Sequence, residues 1–286
     1  MDPLENTKLE LYLSGIYGED LSVHRGKMYD YLGMQLDYSE KGNLVVAMIK
    51  YLPNVIKEFP ERITGSATTP AADHLFQVWE YGEAKLIEEK RAQHFHTIVA
   101  QLLFLSSRDR RDIQTAVAFL TMRVKKPDED DWGKLRRVFK YINGTTYMKL
   151  RLSVNNMSVI KWFVDASDRT HMDCKGHTGA YMTLGKGAVT SMSTKHKINT
   201  KISTESEFVG ADDDLPAALW SKYFIEAQGY TVTQDIMYQD KQATLRLEVN
   251  GKFSSSKRTK HIKARYFSSQ IPLHTGTLKS NTVPLK

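Results

Sequence analysis

Hydrophobic residues recur at helical spacing, in steps of three and four, through much of the first half of the chain. The stretches 94–107 (HFHTIVAQLLFLSS) and 110–124 (RRDIQTAVAFLTMRV) carry this pattern. A third helix is predicted after the acidic connection 125–131, because its carboxylates suit a helix N-terminus. Four large apolar residues of this third helix fall on one face: Trp132, Leu135, Phe139 and Ile142.

A hairpin and a short helix precede these helices. Residues 31–38 are predicted to form a strand, residues 39–43 a turn containing glycine, and residues 44–48 the returning strand. Residues 51–59 are predicted to form a helix that ends before a proline. The turn-rich segment 65–76 predicts an irregular connection.

The second half is predicted to alternate strands and helices. The order indicates an α/β domain with a mixed sheet, and it divides the chain into residues 1–147 and residues 148–286. A kink or a break in the first long helix is expected before Pro216. Strands are predicted at 150–154, 159–164, twice within 177–197 and at 236–240, and helices at 203–229 and 242–251.

Composition and charge narrow the class of protein. The chain has 286 residues and 41% hydrophobic content, which is typical of a globular protein. No apolar stretch approaches the roughly 18 residues of a membrane span, and the N-terminus is too polar for a signal peptide. A lone cysteine, Cys174, excludes an internal disulfide and a multi-cysteine zinc site. We expect an intracellular protein, cytoplasmic or nuclear, without a membrane partner. The net charge of +7 favours a polyanionic partner such as nucleic acid.

Three carboxylates of the second half share one kind of placement. Asp165 follows an apolar strand in WFVDAS, Glu207 lies in the first turn of the predicted long helix, and Asp240 ends the next strand. A single acid at a strand end is most simply a turn residue. Three acids at strand ends and a helix start, however, can meet at one edge of an α/β sheet. Oxygen ligands gathered there would suit Mg²⁺ or Mn²⁺.

Ordered sequence blocks add a family resemblance. WFVDAS, HTGAYMTLGKGAVTSMSTKHK, STESEFVGADD, YQDKQAT and SSSKRTKHI resemble the ribonuclease H domain of Ty/copia-type retrotransposon polyproteins. The earlier DYLGMQLDY, FHTIVAQLLFLSSRDRRDIQTAVAFLTMRV and WGKLRRVFKYINGT are similar to the thumb and connection that end the reverse transcriptase of the same family. The resemblance runs over about residues 25–267.

The resemblance implies a fold, an activity and a ligand set. The fold would be a ribonuclease H-like mixed sheet with flanking helices, preceded by a β-hairpin and a mainly helical thumb and connection region. The activity would be metal-dependent hydrolysis of RNA in an RNA–DNA hybrid, with two Mg²⁺ or Mn²⁺ ions as cofactors. Residue by residue, the ligands fall on Asp165, Glu207 and Asp240. Glu205 lies about 200° away from Glu207 around the helix and is the alternative ligand. In integrases of related architecture the metal-binding acids follow the chain order Asp, Asp, Glu. The order here is Asp, Glu, Asp, which favours ribonuclease H.

Two departures from the family bear on activity. The paired-aspartate turn of the polymerase site is not present before residue 30, and Asp212, Asp213 and Asp214 follow Glu207 in a helix, so no polymerase active site is expected in this chain. Relatives carry a further acid near the end, whereas residues 268–286 contain none. The second domain therefore looks truncated at its C-terminus, and impaired hydrolysis is expected.

A basic run between residues 252 and 265 is the predicted nucleic-acid contact. Lys257, Arg258, Lys260 and His261 could bind the phosphates of a hybrid duplex, although an ordinary solvated basic face gives the same pattern. His177 is expected to shape a strand start rather than to catalyse.

Three functions remain open from the sequence. The chain could be an endoribonuclease, a catalytically inactive nucleic-acid-binding remnant, or a module that acts only within a longer Pol polyprotein. A hybrid-cleavage assay separates the first from the other two.

Overall fold

Two β-sheets and six α-helices form a mixed α/β architecture in the part of the chain that the structure describes, residues 3–79, 84–200 and 203–238 of a computed structural model. The mixed α/β class predicted from the sequence is confirmed. The predicted helix at residues 242–251 lies outside the described residues.

The first sheet has the strand order β1-β2-β3-β4-β7 and is antiparallel throughout. The prediction of one strand over residues 31–38 is wrong, because a turn at residues 32–33 separates two strands there. Leu32 and Gly33 have positive φ angles of 48° and 79°, a backbone conformation that closes a tight hairpin. The strands are β1 (Met28–Tyr31), β2 (Met34–Asp37), β3 (Asn43–Ala47), β4 (Leu150–Val154) and β7 (Gly185–Lys186).

Five of the described helices belong to the first half of the chain. The predicted apolar face of α5 is confirmed, since Trp132, Leu135, Phe139 and Ile142 are all buried in the larger hydrophobic core. The segment 65–76 is irregular, as predicted. The N-terminal helix was not predicted because its pattern has no apolar face. The helices are α1 (Pro3–Tyr17), α2 (Tyr51–Glu58), α3 (Glu89–Ser106), α4 (Gln114–Arg123) and α5 (Glu129–Gly144).

The second sheet has the order β8-β6-β5-β9 and is mixed. β5 (Val159–Ser167) pairs antiparallel with β6 (His177–Thr183) and parallel with β9 (Gln234–Tyr238), while β8 (Thr190–Lys195) pairs antiparallel with β6. This mixed sheet was predicted from the order of elements.

Among the described helices, α6 (Ser203–Ala227) covers one face of the second sheet. Ala218 and Ile225 of α6 pack with Ile160 and Trp162 of β5 in a second hydrophobic core. Of the predicted kink or break before Pro216, the break is wrong, because Pro216 lies inside the continuous helix.

Two strands that follow each other along the chain, β4 and β5, belong to different sheets. The sequence predicted strands on either side of Asn155–Asn156, and both strands form. They join different sheets, because β4 pairs with β3 whereas β5 pairs with β6 and β9. Of the described helices, none is both long enough and apolar enough to cross a membrane.

Candidate functional site

Asp165 lies inside β5 rather than at its end. The strand continues to Ser167, and Asp165 is level with Gly179 of β6. Val164 and Ala166 are buried, whereas Asp165 between them is exposed. Because side chains alternate along a strand, Asp165 lies on the face of β5 opposite to α6. The prediction that Asp165 ends the strand is therefore wrong by two residues, but its carboxylate is accessible.

Glu207 reaches β5 from the first turns of α6. It is fully buried, and its Oε2 accepts a hydrogen bond of 3.2 Å from the backbone N–H of Ala166. Ala166 directly follows Asp165. The structure thus places one predicted carboxylate against the backbone next to the other.

A glycine lets the start of α6 approach the sheet this closely. A Cβ at Gly210 would lie 2.8 Å from Thr178 Oγ1 and 3.2 Å from Ala166 Cβ. Any larger residue at this position would push the helix away from β5 and β6, and with it the Glu207 carboxylate. Gly210 lies in an otherwise regular helical pattern, so this close contact could not be predicted from the sequence.

Hydrogen bonds also tie the start of α6 to the loop after β5. Ser206 Oγ lies 2.7 Å from Thr200 Oγ1, and Thr200 Oγ1 donates to Asp168 Oδ1 at 2.9 Å. Glu205, the alternative ligand, is also fully buried.

The third predicted carboxylate lies just past the last described residue. Tyr238 of β9 pairs in parallel register with Phe163 of β5. Asp165 follows Phe163 by two residues, and Asp240 follows Tyr238 by two. Asp240 and the predicted nucleic-acid contacts lie outside the described residues: Lys257, Arg258, Lys260 and His261.

The donor chemistry of this site fits a hard divalent cation. Asp165 and Glu207 supply carboxylate oxygens, the ligands that Mg²⁺ prefers. Within the described ranges, no group of three or more His, Cys, Asp or Glu side chains is arranged to hold a metal ion. A complete metal site would thus need at least one ligand beyond the two described carboxylates.

A cluster of three histidines beside this site was not predicted. His171 Nε2 and His177 Nδ1 are 3.1 Å apart, and His177 Nε2 is 2.7 Å from Ser193 Oγ. His196 Nε2 is 2.6 Å from Thr178 Oγ1. His171 and His177 are six residues apart in the sequence, and the pairing of β6 with β8 brings His196 close to them, because His177 is level with Lys195.

Burial keeps these histidines neutral. Burial lowers the pKa of His177 to about 4, with smaller contributions from His171 and His196. Burial, then the charge of Lys195, lowers the pKa of His171 to about 4. The pKa of His196 is also lowered by burial, against an opposing effect of Asp213 and Asp168. β6 begins at His177, so the expectation that this residue shapes a strand start is confirmed.

Comparisons with known proteins relate the chain to retrotransposon polyproteins. It is 26% identical over 246 residues to the retrovirus-related Pol polyprotein from transposon TNT 1-94 of Nicotiana tabacum, an alignment that covers 84% of this chain and 18% of the polyprotein. It is 26% identical over 199 residues to the putative transposon Ty5-1 protein of Saccharomyces cerevisiae, covering 66% of this chain and 61% of that protein. The Pol polyprotein from transposon RE2 of Arabidopsis thaliana is 26% identical over 187 residues, covering 65% of this chain and 13% of the polyprotein.

The chain spans less than two thirds of the length of these relatives, and less than a fifth of the two Pol polyproteins. No family model matches the chain, and no solved structure matches it. The chain is therefore similar to part of several retrotransposon Pol polyproteins.

Proposed function

We propose that this chain is a ribonuclease H-like part of a retrotransposon Pol polyprotein that hydrolyses RNA in RNA–DNA hybrids. The observation that carries the proposal is the contact between Glu207 Oε2 and the backbone of Ala166, one residue from the exposed Asp165. The similarity to Pol polyproteins adds independent support for a nucleic-acid substrate.

The proposed ligands are Asp165, Glu207 and Asp240, holding two Mg²⁺ or Mn²⁺ ions. Such a pair of ions supplies activation of a water molecule and stabilisation of the leaving oxygen. The water oxygen bonds to phosphorus as the P–O3′ bond breaks, which leaves a 5′-phosphate and a 3′-hydroxyl. The role of the chain is positional: β5 fixes Asp165 on an open face, and the close packing at Gly210 fixes Glu207.

The proposed partner is the hybrid duplex itself. The net charge of +7 favours binding to a polyanion. Lys257, Arg258, Lys260 and His261 are the proposed phosphate contacts. The 2′-hydroxyl groups would distinguish the RNA strand from the DNA strand.

The alternative proposal is nucleic-acid binding without hydrolysis, either by an inactive remnant or by a module that acts within a longer Pol polyprotein. The positive net charge is common to both proposals. The Pol polyproteins from TNT 1-94 and RE2 are several times longer than the aligned region. This difference in length favours a module that acts within a longer polyprotein over an inactive remnant.

The test is cleavage of a labelled RNA–DNA hybrid by the purified chain, with Mg²⁺ or Mn²⁺. We expect Asp165→Asn, Glu207→Gln and Asp240→Asn each to lower the rate by about 100-fold or more, because each removes a metal ligand. Glu205→Gln tests the alternative ligand, since Glu205 is equally buried two residues from Glu207. Its rate should stay near that of the unmodified chain if Glu207 is the ligand, and should fall in place of the Glu207→Gln rate if Glu205 is.

Circular dichroism should show that each variant is folded. Cleavage that persists in Asp165→Asn would overturn the proposed ligand set. Hybrid binding without cleavage by the unmodified chain would favour the alternative proposal.

A further inference from the structure

A second candidate site lies in the first half of the chain, on elements that do not contribute to the carboxylate site. It is a cleft of about 470 Å³ between α5 and the loop at residues 66–68. The residues that line it and bear on the argument are Ser66, Thr68, Gly133, Arg136, Arg137 and Lys140.

The charge of this cleft is positive. Among the residues that line it in the described structure, three are basic and none is acidic. The carboxylate of Glu61 neutralises the charge of Arg136: Arg136 Nε donates to Glu61 Oε2 at 2.6 Å and Arg136 Nη2 to Glu61 Oε1 at 3.0 Å. This ion pair lowers the pKa of the Glu61 carboxyl. Arg137 donates to the neutral Thr69 hydroxyl at 2.9 Å. Arg137 and Lys140 make no ion pair within the described ranges, so about two positive charges remain for a ligand.

The position of these groups on α5 is set by the helical repeat. Residues 133, 136, 137 and 140 are separated by three and four positions, so they share one face of α5. The loop is held close to the same helix, since a Cβ at Gly144 would lie only 2.9 Å from Ser66 Cβ. Ser66 and Thr68 therefore line the cleft from the loop, and the basic residues line it from α5.

Gly133 creates the open space at the helix surface. A Cβ built at Gly133 would meet no atom within 4 Å, and Gly133 has an ordinary helical backbone. Glycine in a helix interior is less favourable than most other residues. Here its effect is to leave room beside Arg136, Arg137 and Lys140.

We propose that this cleft binds a phosphate group. A guanidinium fork, an ammonium group and hydroxyl donors around a solvent-open space are the chemistry that recognises phosphate oxygens. The volume exceeds that of a bare phosphate and accommodates an attached sugar or a second phosphate. The ligand is either a small phosphorylated molecule or a backbone phosphate of a nucleic-acid strand, and the two sources can be distinguished. The proposal does not depend on the carboxylate site.

The first experiment measures pyrophosphate binding to the full chain by isothermal titration calorimetry in low-salt buffer. Gly133→Met fills the cleft without changing any charge, and we expect it to weaken binding by about tenfold or more. Gly15→Met is the matched control, because Gly15 is also a helical glycine with open space around it. Gly133→Met should not lower Tm, since it replaces a helical glycine.

A second pair of variants tests the charges. The double variant Arg137→Gln/Lys140→Gln should weaken pyrophosphate binding at least as much as Gly133→Met. Lys90→Gln is the control, since Lys90 is an exposed lysine of α3 that does not line the cleft. Binding that is absent, or that survives both Gly133→Met and the double variant, would overturn the proposal.

A third experiment identifies the source of the phosphate. Binding of an RNA–DNA hybrid is measured by fluorescence anisotropy in EDTA at several salt concentrations. If the ligand is a strand phosphate, the double variant should lower the slope of log K against log salt by about two. If only the small molecule binds there, the slope should stay the same while pyrophosphate binding is lost.

Asp165→Asn separates this proposal from the proposed hydrolysis. We expect the variant to lose hybrid cleavage and to keep pyrophosphate binding. Loss of pyrophosphate binding in Asp165→Asn would show that the anion binds at the carboxylate site and not in the cleft.

Discussion

At the scale of single residues, Asp214 is a buried carboxyl group in the middle of α6. Its side chain is 3% exposed, and burial, then the charge of Asp213, raises its pKa to about 7. Because this pKa is higher in the folded state than in the unfolded chain, the folded protein keeps the Asp214 proton over a pH range in which the unfolded chain has released it. Ionisation of the buried Asp214 therefore costs nothing below about pH 4. As pH rises from 4 towards 7, this cost grows and the free energy of unfolding falls.

We predict that Asp214→Asn stabilises the protein at pH 8. The amide has nearly the same shape as the acid and carries no charge to desolvate, so the gain should be on the order of 4 kcal/mol. The gain should shrink towards zero near pH 4, where Asp214 is neutral in both states. Urea unfolding at pH 4.5 and pH 8 measures it. Asp213→Asn is the control and should give a smaller gain, because Asp213 is less buried. A gain independent of pH would contradict the assignment.

At the scale of elements, α5 begins with a reciprocal pair of hydrogen bonds. Asp128 Oδ1 accepts from Asp131 N at 2.8 Å, and Asp131 Oδ2 accepts from Asp128 N at 3.1 Å. Arg123 of α4 contacts both carboxylates at 3.2 Å and 2.9 Å. The start of α5 is thus joined to the end of α4, and α5 carries both the core face and the basic cleft.

We predict that Asp128→Ala destabilises the protein by about 1–2 kcal/mol, because the first turn of α5 loses its N-cap. Glu129→Ala, one residue later, should cost less than about 1 kcal/mol, since its ion pair with Arg91 is about 40% exposed. Chemical unfolding at pH 7 gives both values. Equal losses in the two variants would show that the cap contributes nothing beyond an ordinary surface charge.

The elements show what the sequence can and cannot predict. α5 was predictable because its apolar residues keep helical spacing and its N-terminus carries acids. β1 was missed because its residues are mostly exposed and show no alternation. Pro216 misled the prediction, since tertiary packing of α6 on β5 maintains the helix through a proline. Asp165 and Glu207 could be singled out from their positions, whereas the close approach at Gly210 depends on contacts between distant segments.

At the scale of the whole molecule, the two halves meet along β8 and the histidine cluster. Gln114 of α4 donates to Ser191 O at 2.9 Å, and Ser193 Oγ donates to Thr115 Oγ1 at 3.3 Å. The ring of Phe76, from the first half, lies 4.9 Å from the rings of both His171 and His177. The cluster is therefore part of the contact between the helical half and the second sheet.

The contact between the two halves should lose stability as the pH falls. The pKa values of about 4 for His171 and His177 lie below the ordinary histidine value of 6.5. Between these values the unfolded chain binds protons that the folded chain does not, so stability is full above about pH 6.5 and falls as pH drops towards 4. The charged groups that act on the cluster are Lys195 and Asp173 at His171, which form an ion pair at 2.8 Å, and Asp213 and Asp168 at His196.

We predict that His177→Gln reduces stability at pH 7.5 and that its deficit relative to the unmodified chain narrows as pH falls. One histidine with this pKa difference contributes a change on the order of 2 kcal/mol between pH 7.5 and pH 5. Comparison of the two proteins at each pH cancels the opposite trend from Asp214, which both retain. His94→Gln, which alters an exposed histidine of α3, should leave the difference constant across pH. Urea unfolding at pH 7.5, 6 and 5 provides the comparison. A His177→Gln deficit that is constant across pH would show that His177 contributes packing alone and that protonation does not loosen the contact between the two halves.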